Sequence, residues 1–128
     1  MVTTGVYLEA ARRLNEFATL PSGWDTYEAK PIAATAIHEA RRFLAAVARR
    51  FAGQTDIAKP FFLAPLPYGG IQIEWCHPNK EIEIEVTPDG RFGYLLTTGE
   101  GEDRIFEEKD DVSADEVLDL VTRLCNGN

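Results

Sequence analysis

Cysteine and histidine are scarce in this chain, with two of each in 128 residues. Two thiols, Cys76 and Cys125, are too few for a disulfide framework. A single bridge is formally open to them, but reduced thiols are the default in a cytosol, and both are read as structural or incidental. Zinc requires Cys and His at ligand spacing, and only Cys76 and His77 lie close together. Adjacent strand residues point to opposite faces, so that pair makes a poor chelate. His38 stands alone on a helix and reads as a solvated or satisfied histidine. No apolar run approaches the roughly 18 residues of a membrane span. Arg12 and Arg13 interrupt the only candidate signal-peptide core, and the chain is expected to be cytoplasmic.

The motifs of covalent and phosphate chemistry are missing as well. There is no Gly-x-Ser-x-Gly, and no motif gives either histidine a nucleophile. Gly69-Gly70 lacks the Gly-x-x-x-x-Gly-Lys pattern and precedes a strand rather than a helix, so it reads as a turn. No EF-hand spacing occurs, and glutamates on rigid strands do not wrap a hard cation. No catalytic residue, metal ligand or cofactor is therefore assigned.

Positive charge is short in the second half. Residues 1–64 carry eight Lys/Arg against six Asp/Glu, and residues 65–128 carry five against fifteen, so +2 faces −10 in a net charge of −8. Such a balance argues against binding to nucleic acid or an anionic membrane, where affinity comes from Lys and Arg. It is compatible with solubility alone, or with steering toward a basic protein partner.

The apolar spacing predicts a first helix from Val6 to Thr19, with Tyr7, Leu8, Ala10, Ala11, Leu14, Phe17 and Ala18 inward. Leu20-Pro21-Ser22-Gly23 stops it. The loop Trp24–Pro31 places two large aromatics, Trp24 and Tyr27, within four residues. One reading has Trp24 folding back onto the core while Asp25 caps a turn; the other makes Trp24, Asp25 and Tyr27 a recognition loop. A second helix is expected from Ala33 to Ala52, burying Ile37, Ala40, Leu44, Val47, Ala48 and Phe51 with Phe43 on the flank, and stopped by Gly53. His38, Arg41, Arg42, Arg49 and Arg50 take its other side. Residues 54–59 read as a polar connection, and Pro60–Pro67, with three prolines, as an edge strand at most or an extended segment lying across the core.

The best-specified part is Gly69-Gly70-Ile71-Gln72-Ile73-Glu74-Trp75 followed by Lys80-Glu81-Ile82-Glu83-Ile84-Glu85-Val86. Apolar and polar residues alternate strictly, which predicts two half-buried strands. A four-residue loop, His77-Pro78-Asn79-Lys80, pairs Cys76 with Glu81, Glu74 with Glu83 and Gln72 with Glu85 on one face. The other face then pairs Trp75 with Ile82, Ile73 with Ile84 and Ile71 with Val86. A three-residue turn, Pro88-Asp89-Gly90, sets Val86 against Phe92, Ile84 against Tyr94 and Ile82 against Leu96. Gly99–Glu102 makes a further turn, Arg104–Glu107 a short fourth strand, and Ser113 or Asp111 caps a last helix, with Glu116 three residues after Ser113 completing a capping box; that helix buries Val117, Leu118, Leu120, Val121 and Leu124. Asn126-Gly127 is expected to end that helix. The fold class that follows is α+β: one domain over residues 1–128, an antiparallel meander of three to five strands, and two N-terminal helices and one C-terminal helix on its apolar face.

Gly23-Trp24-Asp25, a loop to Pro31 and a helix, then Gly69–Trp75, Glu81-Ile82-Glu83-Ile84 and Pro88-Asp89-Gly90 form a pattern that resembles a family of small uncharacterised bacterial proteins. It covers roughly residues 14–97. Tyr27 and Glu28 stand where a more glycine-rich loop is usual. The resemblance implies a shared fold built on the Trp-Asp loop and the meander, and it implies no catalytic residue.

The residues favour a non-enzymatic bacterial protein acting by protein–protein contact through Gln72, Glu74, Glu81, Glu83 and Glu85, as an antitoxin, immunity protein or inhibitor does. Trp24 and Asp25 are a second candidate patch. Two other readings use the same residues: a metal-assisted hydrolase built on the sheet carboxylates, and a structural homo-oligomer, such as a homodimer, pairing basic helix with acidic sheet. Like charges facing each other across strands destabilise a sheet. A cation, the chain's own arginines or a basic partner is expected to offset them.

Overall fold

The computed structural model describes residues 5–51 and 62–126. Three helices, α1 (Gly5–Phe17), α2 (Ala34–Arg50) and α3 (Ala114–Cys125), lie against one antiparallel sheet. Its strands, β1 (Phe62–Pro65), β2 (Ile71–His77), β3 (Lys80–Val86), β4 (Phe92–Thr98) and β5 (Ile105–Val112), follow one another in space as in sequence. This is the expected α+β meander, with α2 between α1 and α3 in the helical layer. The polar connection at 54–59 and the Gly53 stop lie outside the described residues, as do Pro60, Phe61 and Gly127.

Alternation sets the register. Ile71, Ile73 and Trp75 of β2 face Val86, Ile84 and Ile82 of β3, and these in turn face Phe92, Tyr94 and Leu96 of β4. A slip of one residue would turn every one of these side chains to water, so burial of one face holds the pairing. The two turns agree with it. Pro78 and Asn79 close the first hairpin, Asn79 with φ of 68°, and His77 pairs with Lys80, so the ladder runs one pair further than expected. Around the second turn Thr87 N–H donates to Arg91 O (2.9 Å), and Gly90 takes φ of 85°. That positive φ fits the glycine of a three-residue hairpin loop.

The helices cover the apolar face. Ala10, Leu14 and Phe17 of α1 are buried, whereas Leu8, expected inside, is exposed. On α2, Phe43 is not on the flank. It is 3% exposed, with its ring edge-on to Trp75 (centroids 6.1 Å apart, 79°) and 5.5 Å from Phe92. Ala36 and Ala40 on the same helix are fully buried as well. Ser113 Oγ accepts from Glu116 N–H (3.1 Å) and starts α3 where expected.

β5 departs most from expectation. It runs eight residues, through Glu107-Glu108-Lys109-Asp110-Asp111, not four. Seven of the eight are exposed, so no burial imposed the apolar alternation by which a strand is recognised. Gly93 lets the strand approach: a Cβ there would lie 3.2 Å from Lys109 O, beside a register shift between Phe92 and Tyr94. The Tyr94 hydroxyl donates to Glu107 (2.5 Å), and burial, then Glu107, pushes its pKa up to about 12. Lys109 pairs with Glu116 of α3 at 3.5 Å.

Phe43→Ala removes the ring that joins α2 to Trp75 and Phe92. It should lower unfolding free energy by about 3–5 kcal/mol, read from urea denaturation.

Candidate functional site

With the helices on one side, the other side of the sheet faces outward. The neighbours across the strands, in order, are Phe62, Glu74, Glu83, Leu95 and Glu108 in one row. The next row has Ala64, Gln72, Glu85 and Gly93, with Asp110 beside the glycine, and the third has Cys76, Glu81, Thr97 and Phe106. Gln72, Glu74, Glu81, Glu83 and Glu85 therefore share one face, as expected, and β5 adds Glu108 and Asp110. Those two were missed because β5 was expected to end at Glu107. The Asp/Glu-rich run 107–111 was the available signal.

The arginine-bearing side of α2 lies on the opposite layer and does not cover these carboxylates. Among the described residues, none of Glu74, Glu81, Glu83, Glu85, Glu108 and Asp110 takes part in an ion pair. Among the described residues, cations stand at two corners: Arg91, held by Asp89 (3.2 Å) and Asp111 (3.5 Å), and Arg104, over the ring of Phe106 (5.7 Å). The chain relieves its closest juxtaposition with an amide. Gln72 Nε2 donates to Glu74 (2.5 Å) and to Glu83 (3.2 Å), tying both carboxylates to one neutral donor. Cys76 Sγ lies 3.6 Å from Glu81. Burial raises the Cys76 pKa, and Glu81 adds to the effect.

The face is partly desolvated. A shallow concavity of about 340 Å³ is lined by Leu66, Tyr68, Gln72, Glu83, Glu85 and Leu95, with Glu108 on its β5 side. Tyr68 packs over Gly70, where a Cβ would come within 3.1 Å of the ring and 2.6 Å of Val86 O. Glu83 is raised above the ordinary carboxylate range by burial first, then by Glu74 and Glu81. Glu85 is raised by burial, then by Asp110 and Glu108. Removal from water and like charge act in the same direction, and each disfavours the ionised form.

The Trp-Asp loop is built otherwise. Trp24 packs partly against the core and donates from Nε1 to Lys30 O (2.8 Å). Asp25 Oδ1 accepts from Tyr27 N–H (2.8 Å) and Ala29 N–H (3.1 Å), closing the loop on itself. Lys30 N–H then donates to Pro67 O (2.7 Å), which docks the loop beside the β1–β2 turn. Tyr27, 83% exposed, points away. The hydrogen bonds of Trp24 and Asp25 thus go to their own loop, as the core-plug reading expects.

Both cysteines are free, Cys76 exposed and Cys125 buried, and burial pushes the Cys125 pKa up to about 11. Among the described residues no three His, Cys, Asp or Glu side chains converge as ligands for a metal ion. No helix is long and apolar enough to cross a membrane.

A carboxyl whose pKa is raised on folding binds its proton more tightly in the native state. Stability then falls as pH rises from the ordinary value, 4.5, through the raised one. Acidification from neutrality toward 4.5 should therefore stabilise the protein through Glu83 and Glu85. Glu83→Gln keeps an oxygen for Gln72 and should raise stability at pH 7 and low salt by up to about 1 kcal/mol. The gain should shrink in high salt and near pH 4.5, as thermal unfolding across pH and salt will show.

Compared with protein-family models, curated proteins and solved structures, the chain matches none. Its function is accordingly argued from the site itself.

Proposed function

We propose that this is a non-enzymatic bacterial cytoplasmic protein that binds a basic protein partner through the outer face of its sheet, as an antitoxin, immunity protein or inhibitor does. The observation that carries the reading is the row Glu74–Glu83–Leu95–Glu108 with Glu85 and Asp110 beside it, without a cation from the described part of the chain. Solubility needs no such crowding, since charges of both signs interspersed serve it better. Departures from local stability rules concentrate at functional surfaces. A partner's Lys or Arg side chains would remove the repulsion, and the −10 of the second half would speed their approach. Tyr68, exposed on this side, offers a ring face to the same cations.

Pairing with a second copy is less well supported. The exposed arginines of α2 and the carboxylates lie on opposite layers, so basic-on-acidic contact runs head to tail and does not close as a two-fold dimer. We further propose that the Gly-Trp-Asp loop and the Gly-Gly-Ile-Gln-Ile-Glu-Trp strand mark relatives of the same fold.

Affinity capture from lysate of the source cell tests the reading, with wild type compared against Glu74→Gln/Glu83→Gln. The expected result is a basic protein retained by wild type at low salt, lost by the double variant, and eluted at 1 M salt, where the Debye length is about 3 Å. Identical eluates from both would overturn it.

A further inference from the structure

The sheet has two edges, and the chain treats them differently. At β1 the edge is short, carries Pro65, and Leu63 O accepts from Arg13 of α1 (2.8 Å). Proline and a covering side chain are ordinary ways of closing an edge. At β5 no such cover exists: among the described residues no side chain hydrogen-bonds to the backbone of Ile105–Val112. Ile105 to Lys109 pair with β4 without interruption, and only beyond them do the register shift and the φ of 55° at Asp111 bend the strand. Five residues in regular geometry thus present alternate N–H and C=O groups on the side away from β4. Two large apolar side chains stand on that stretch, Ile105 at 68% and Phe106 at 58% exposed. Glu107 and Glu108 follow them.

Charge selects the occupant. Within Ile105–Lys109, Glu107 and Glu108 against Lys109 leave a net −1, and Asp110 and Asp111 follow directly; a second copy paired antiparallel about Glu107 would set that carboxylate against its own counterpart. That repulsion keeps copies apart and becomes attraction toward a basic strand. We propose that β5 accepts an extended basic segment of a protein partner as a sixth strand, antiparallel to Ile105–Lys109. The inference rests on the partner chemistry proposed above and adds the mode of recognition: main-chain hydrogen bonds give affinity, and facing side chains give specificity. Read N to C, the segment places an acid opposite Lys109, two bases opposite Glu108 and Glu107, and two apolar residues opposite Phe106 and Ile105.

The test is titration of the ¹⁵N-labelled full chain with a capped peptide of core Glu-Lys-Arg-Val-Val. A second peptide of the same sequence, N-methylated at alternate residues, keeps the charge and loses strand-pairing donors. The proposal expects saturable amide shifts centred on residues 105–109, with the methylated peptide at least about tenfold weaker. Equal binding of both peptides, with shifts at Glu83 and Glu85, would overturn the edge-strand mode and leave the outer-face reading standing. No shift with either peptide would overturn the edge-strand mode as well, and the capture experiment then decides the outer face separately.

Discussion

The pairing of β2 with β3 constrains everything else in this molecule. Burying Ile71, Ile73 and Trp75 against Val86, Ile84 and Ile82 leaves one admissible register. Because strand side chains alternate, that same register sets Glu74 opposite Glu83 and Glu85 opposite Gln72. The hydrophobic core and the carboxylate cluster are two consequences of one ladder. The domain cannot relax the second without giving up the first, and the first is worth far more: six large side chains leave water, each contributing on the order of 1.5–3 kcal/mol.

The outer face is therefore held against its own repulsion. Gln72 moderates it by donating to two carboxylates at once, but a neutral amide lowers repulsion without cancelling charge. Leu95 and Tyr68 make the effect larger by reducing the water around Glu83 and Glu85. Helices fill the opposite side of the sheet, so relief from the arginines of α2 would require a different fold. An incoming cation would gain from a field already assembled, with no reorganisation of the sheet.

Legibility in the sequence followed burial. Wherever a segment has one wet and one dry face, its residues report it: both hairpin registers, the glycine of the second turn and the Ser113 cap stand as the spacing implied. Phe43 was misplaced because helical spacing alone does not show that Trp75 and Phe92 of the sheet meet its ring. β5 was half-hidden because a strand wet on both faces carries no alternation, and its neighbour's Gly93, which admits it, reads equally well as flexibility. Glu108 and Asp110 were lost with it.

Glu83 and Glu85 sit in a partly dry, like-charged surface with no compensating cation from the described part of their own chain. Site-resolved titration of the side-chain carboxyl carbons by NMR, on the chain alone at low salt, tests it most directly. The account predicts that both protonate above 4.5 and that added salt moves them back toward it. Titration at or below that value, insensitive to salt, would contradict it and point to a cation already supplied from within.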